Sequence, residues 1–329
     1  MTFVDAVKDG FRVVNRNWQL ILIQLAMVFI STIGFFIMVG IPLAIAFIIF
    51  GIDLTELANM KDIFRILDGP SDFISKYLGL ILIVIASFLL YIILVALLGI
   101  YVLGGSVGII VRSLKDKALR FNLRAFFEEA KRLFPRLLGF TSVIGIILII
   151  AAFLLGILGG GIAALVTFVQ SQDSTLALFF GSFFSLILIV MALVLILGIL
   201  SLTLYGIASL SFKDTGSLRS MKEAVQYLIR YPNAFWLYSA LFAGYLIASF
   251  LLILLGYPFT LIPIIGTILS FPYHLISSAF ETYLGLVIVA TVLSYYYSTE
   301  IQIKPAEPVI EDTVTQTPEE EDNPTQASD

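Results

Sequence analysis

The sequence predicts an all-α polytopic membrane protein of six transmembrane helices in three parallel repeats, each with a cytoplasmic amphipathic helix. Three observations predict this class. The 329-residue chain is 60% hydrophobic and 13% charged, against roughly 45–50% and ~25% in soluble domains. Several apolar runs exceed the ~18 residues that mark a transmembrane helix. Between those runs the bases collect on one side, above all in 112–136, which holds 8 of the 19 lysines and arginines.

Taken in order, residues 2–16 read as a short amphipathic helix. Val4, Val7, Phe11 and Val14 share one face, and Lys8, Arg12 and Arg16 populate the other. Thr2 and Asp5 have the spacing of a capping pair. The apolar run 18–52 is too long for one span and too short for two, since 35 helical residues would reach about 52 Å. The sequence therefore predicts a span over 18–39, a break at Gly40 and Pro42, and a kinked or interfacial continuation. The run is also far longer than the ~7–15 residue core of a cleavable signal, so it reads as a retained span.

Residues 53–76 carry five acids and three bases. Leu54, Leu57, Phe64 and Leu67 suggest a surface helix there, and Asp68-Gly69-Pro70-Ser71 is a turn signal. The second span is 77–111. Stretch 112–136 follows as an amphipathic helix. It turns Leu123, Phe126, Phe127, Ala130, Leu133 and Phe134 to the membrane, and Arg124, Glu128, Lys131 and Arg132 to the cytoplasm. Glu128 is placed to pair with Arg132 at i+4.

The third span is 137–169, residues 170–175 form a tight loop, and the fourth span is 176–212. In 213–231, Ser220 and Glu223 have capping-box spacing, and Met221, Ala224, Val225 and Leu228 form an apolar face. The fifth span runs from 233 to about 255. Residues 256–271 carry Pro258 and Pro263 and read as broken. The sixth span is 272–298. Residues 299–329 hold nine acids, one lysine and four prolines, a composition that cannot bury a core and reads as a disordered acidic tail.

The repeats emerge on shifting the chain against itself. A shift of 116 brings Phe11 onto Phe127, Arg16 onto Arg132 and Gly40 onto Gly156; a shift of 216 brings Asn17 onto Asn233, Gly40 onto Gly256 and Pro42 onto Pro258. The units are 1–111, 112–212 and 213–298, within one transmembrane domain. Chance matching of apolar sequence is the alternative, and the recurring amphipathic helices and Gly-x-Pro pair speak against it. Each unit crosses twice, so the repeats are parallel rather than inverted.

Sixteen lysines and arginines fall on the side of both termini and three on the other. Bases flanking spans favour the cytoplasm, so both termini are expected there, in the cell membrane. The amphipathic helices then place Lys8, Arg12, Arg16, Arg124, Lys131, Arg132, Lys222 and Arg230 at a membrane surface, where anionic lipids are the expected partners. The acidic tail either competes with lipid for these helices or is simply solvated.

Chemistry is sparse. The chain has no cysteine and one histidine, which excludes thiolate and multi-histidine metal sites. No phosphate loop or dinucleotide fingerprint occurs, so no cofactor is expected, and the membrane-bounded basic stretches do not suit nucleic acid. His274, Ser277, Ser278 and Glu281 fall at i, i+3, i+4 and i+7 and form a polar stripe on the sixth span. This is either a solute or proton path or a stripe reaching outer water. In the second case Glu281 would anchor loop 53–76 through Lys61, Arg65 or Lys76. Gly104-Gly105-Ser106-Val107-Gly108 matches the G-x-S-x-G hydrolase motif, but it lies inside a span, where such small residues favour close helix packing. Gly156 and Gly160 suggest the same.

The stretches NRNWQLIL, SLRSMKEAVQYLIRYPNAF and ATVLSYYYSTE resemble in organisation a six-span family related to the membrane domain attached to some bacterial glycerophosphodiester phosphodiesterases. The resemblance covers about 1–298. It implies a membrane bundle without the soluble catalytic barrel, whose histidines and acids nothing here supplies. The expected function is non-enzymatic, a scaffold or lipid-associated factor with a possible protein partner. The alternative is a transporter of a hydrophobic or lipid-like solute, proton-linked through Glu281.

Overall fold

The computed structural model describes residues 2–49, 70–260 and 265–302. Every described element is helical, and six of the helices are long and apolar enough to cross a membrane. The chain is a multi-pass membrane protein of the all-α class.

Helix α1 (Phe3–Arg16) opens on the expected capping box: Asp5 N–H donates to Thr2 Oγ1 at 3.2 Å and Thr2 N–H to Asp5 Oδ2 at 3.3 Å. Its buried stripe is Ala6, Gly10, Val13 and Val14, rotated from the expected face; Val4 and Phe11 stay exposed. The small residues are the ones that let α1 come close to its neighbour.

Helix α2 (Gln19–Phe35) passes through a π turn (Phe36–Gly40) into α3 (Ile41–Ile49). The expected break at Gly40 and Pro42 is therefore a re-registered helix. Ile41 N–H bonds Phe36 O, an i−5 partner, and this wider turn just before Pro42 takes up the ladder disruption that proline causes. Residues 50–69, which include most of the predicted surface helix, lie outside the described residues.

Helix α4 (Pro70–Lys115) has proline at its first position, where the missing N–H costs nothing. Helix α5 (Leu123–Gln170) is N-capped by Asn122, whose Oδ1 accepts from Arg124 N–H at 2.9 Å. It merges the predicted surface helix and third span into one rod that carries Pro135 inside it. Helix α6 (Ser174–Lys213) is N-capped by Asp173 and runs 40 residues with no charge before Lys213.

Helix α7 (Ser217–Arg230) starts behind Gly216, so Ser220 is inside the helix and forms no capping box with Glu223; its hydroxyl donates to Gly216 O at 3.0 Å. Helix α8 (Pro232–Thr260) and helix α9 (Ile265–Tyr296) fill most of the stretch expected to be broken, with Pro258 and Pro272 inside them. A second π turn, Tyr297–Ile301, ends the described chain.

Helices α4, α6 and α9 touch one another. Around them α2 packs on α9 and α4, α5 on α4 and α6, and α8 on α6 and α9. One end of this array carries α1, the start of α5, and α7. There α1 packs on α9, the start of α5 on α4, and α7 on α6. We call this the polar end.

The core sits at the polar end. Ile110, Phe126, Leu133, Phe140, Tyr205 and Tyr296 are among its fully buried side chains. Toward the distal end the helices are mostly exposed: none of the most apolar 18-residue window of α4 or α8 is buried. Those apolar faces suit contact with lipid and not with water.

Candidate functional site

The polar end holds the charged residues, and sequence order explains how they meet. Gly105 and Gly108 of α4 leave room for the start of α5: a Cβ at Gly105 would meet the Phe126 ring, and one at Gly108 would lie 2.8 Å from Glu129 Cγ. The close crossing buries Phe126, Ala130 and Leu133 in protein, not in the membrane as their face suggested. It buries Glu129 with them, at 3% exposure, between Arg112 at 2.6 Å and Arg132 at 2.7 Å.

Glu129 is not among the residues the sequence singles out, because stretch 112–136 reads as a surface helix outside the spans. The available signal was its spacing: it lies three residues after Phe126 and four before Leu133, on the buried stripe. Glu128 does not pair with Arg132. It turns back to Arg124 at 3.1 Å, because Arg132 is held by Glu129 and by Asp214 at 3.3 Å.

Asp214 ends α6 with φ 53°, a left-handed conformation that Asp tolerates better than most side chains. From there its carboxylate also reaches Arg136 at 2.5 Å. The next acids continue the belt. Glu223 takes Ser209 at 2.7 Å, Arg219 at 3.1 Å and Lys213 at 3.4 Å; Glu300 takes Lys213 at 3.3 Å and Arg230 at 3.8 Å. Burial alone would raise the Glu223 carboxyl, but the Ser209 hydroxyl and the Lys213 and Arg219 charges outweigh it and hold it below the usual value.

Aromatic rings pack under the belt. Tyr227 lies 5.1 Å from Tyr205 and 4.8 Å from Tyr296, and its hydroxyl is 2.6 Å from Thr299 Oγ1. Phe212 stacks on Tyr297 at 5.2 Å, with Lys115 Nζ 5.7 Å above it. Tyr205 donates to Ala234 O at 3.0 Å. The ends of α4, α6 and α9 are thus plugged by side chains.

The predicted basic surface is largely occupied. Arg12 pairs with Asp9 at 3.0 Å, Arg124, Arg132 and Arg230 are in the pairs above, and Arg16 donates to the carbonyls of Ser113 and Lys117. Among the described residues Lys8, Lys131 and Lys222 make no ion pair.

The polar stripe stays apart from the belt. His274 is exposed, and Ser277, Ser278 and Glu281 are half-buried on α9. Glu281 has no hydrogen bond or ion pair to the described residues. It lies about 22 Å along the helix from Tyr296 at 1.5 Å per residue. The proposed anchor through Lys61, Arg65 and Lys76 falls on side chains outside the described residues.

Ser106 of the G-x-S-x-G match is buried in mid-helix, donating to Val102 O at 2.9 Å and accepting from Gln24 Nε2 at 3.2 Å. It occupies no strand–turn–helix elbow. Among the described residues nothing lies within 4 Å of a Cβ at Gly156 or Gly160, so no close helix contact is seen at them there. No cluster of acids or histidine with metal-ligand geometry occurs among the described residues.

Comparison with family models, curated proteins and solved structures finds no match to this chain.

Proposed function

We propose that the chain is a non-enzymatic integral protein of the cell membrane, a scaffold or lipid-associated factor with both termini in the cytoplasm. One observation carries the reading: protein–protein packing and charge pairing are concentrated at the polar end, while the distal helices present apolar faces almost all round. Such a molecule offers lipid far more surface than it offers any aqueous solute.

Three parallel repeats account for the packing. Each amphipathic helix sits on the returning span of the unit before it, and α1 closes the circle on α9. Burial supports a register of 214 residues, not 216, between α1 and α7: Ala6 then matches Ser220, Gly10 matches Ala224, Val13 matches Tyr227 and Leu20 matches Ala234. The organisational resemblance to the six-span family belongs to this proposal and extends to architecture alone.

The second reading, a proton-linked transporter of a lipid-like solute, is favoured by one feature, Glu281, which has no partner among the described residues and lies in a hydroxyl-bearing stripe. Two measurements separate the readings. Native mass spectrometry from mild detergent should show retained phospholipid or a protein partner; lipid-free, partner-free monomer defeats the first reading. Reconstituted vesicles should show no proton flux that Glu281→Gln abolishes, and such a flux would establish the second.

A further inference from the structure

The corner between α1 and α2 sits over the end of α4. Arg16 donates to the carbonyls of Lys117 and Ser113, the latter at 2.6 Å, so its charge caps the negative end of α4. Beside it an open cleft of about 450 Å³ is lined by Arg16, Trp18, Gln19, Lys117, Ala118 and Arg120. A second cleft, of about 230 Å³, shares Arg120 and adds Arg112, Ser113 and Asn122.

Two features set this corner apart from the belt. Lys117 and Arg120 make no ion pair among the described residues, although most arginines at this end do. Arg16 Nε and Gln19 Oε1 are buried and have no hydrogen-bond partner among the described residues, a costly state for polar atoms.

The cleft opens onto an apolar track. Trp18, Leu22, Ala26, Phe29 and Ile33 are exposed at successive helical turns of α2, a stripe about 22 Å long at 1.5 Å per residue. Trp18 stands at its head, the usual level of tryptophan beside lipid headgroups.

We infer that this corner binds one anionic phospholipid, with its phosphate between Lys117 and Arg120 and an acyl chain along the α2 track. The inference rests on the lipid-associated reading above and deepens it. The apolar track argues for a lipid rather than free phosphate. The two cations together are worth about 30-fold in affinity.

The test uses the full chain in mild detergent with Trp236→Phe, which leaves Trp18 as the only tryptophan. Phosphatidylglycerol should change Trp18 fluorescence saturably and add as one molecule by native mass spectrometry, while phosphatidylcholine should not. Lys117→Gln with Arg120→Gln should weaken binding about 30-fold; Lys131→Gln with Lys222→Gln should change it less than threefold. Equal losses in the two pairs would mean generic surface charge and overturn the site. Inorganic phosphate displacing the lipid at equal concentration would overturn the lipid assignment. Phospholipid retained undiminished by the Lys117/Arg120 pair would sink the corner but spare the lipid-associated reading, whereas a protein that retains none would sink both.

Discussion

Gly10→Ala should destabilise the protein although alanine is the better helix former. Helix α1 rests on α9 at this glycine. A Cβ there would sit 3.0 Å from Thr291 N and 3.1 Å from Thr291 Cα, and closer still to Oγ1. Backbone atoms cannot swing aside as a side-chain tip can, so α1 must retreat by about half an ångström, and a gap of that size forfeits a quarter or more of the contact energy around it. Overpacking of this kind costs about 1–3 kcal/mol, against a propensity gain of about 1 kcal/mol for replacing glycine in a helix. The expected net loss is up to about 2 kcal/mol. Gly145→Ala in α5 is the control: nothing lies within 4 Å of its Cβ position, so only the propensity gain remains and the sign reverses. Thermal unfolding in detergent, followed by circular dichroism, reads both variants. Limited trypsin digestion at Lys8 and Arg12 reads whether α1 stays docked. Thr291→Ala should restore only part of the loss, because the backbone contacts persist. Gly10→Ala as stable as the parent, with α1 no easier to cleave, would refute the close α1–α9 contact.

Three further outcomes follow from the belt and the topology. Glu129→Gln should cost about 1–2 kcal/mol, since Arg112 and Arg132 are more than 40% exposed and can rehydrate; Arg112→Ala with Arg132→Ala should cost about 3–5 kcal/mol by stranding a buried carboxylate. The reverse order in the same unfolding assay would contradict the buried position of Glu129. The Glu223 carboxyl is held below its usual value of 4.5, so its contribution is complete above that pH and is lost as pH falls through the lowered one. Glu223→Gln should flatten the acid limb of a stability–pH profile, and an unchanged limb would remove the residue from the account. Finally, the chain has no cysteine, so Ser171→Cys and Lys222→Cys give clean single labels. A membrane-impermeant maleimide on intact cells should modify the first and not the second, and the opposite pattern would invert the proposed orientation.

Architecture was legible in the sequence wherever one solvent dictated the pattern. Lipid demands long apolar helices, and all six appear, with the Thr2–Asp5 cap in place. The misreadings arose where helix met helix. Hydrophobicity puts Val4 and Phe11 on the apolar face of α1, but close approach to Thr291 buries Ala6 and Gly10 instead. Phe126 and Leu133 were assigned to lipid because in a membrane protein an apolar face does not reveal whether lipid or a neighbouring helix covers it. Glu129 was missed for the same reason, since its partner Arg112 comes from another helix. Gly40 and Pro42 looked like a stop, whereas a single wide turn lets the helix continue.

Helix α6 has a consequence of its own. Its 40 residues measure about 60 Å, twice the ~30 Å of a hydrocarbon core. Even at 40°, the steep end of observed tilts, it projects about 46 Å along the bilayer normal. Leu178 and Phe179, near its far tip, are fully apolar and more than 60% exposed, so that tip resists immersion in water. The stretch from Ile199 on is largely covered by protein at the polar end, which leaves about 37 Å for lipid to match, and any excess costs a fraction of a kcal/mol for each ångström. A bilayer of longer acyl chains relieves that strain. The hairpin is therefore expected to suit a thicker bilayer better than a thin one.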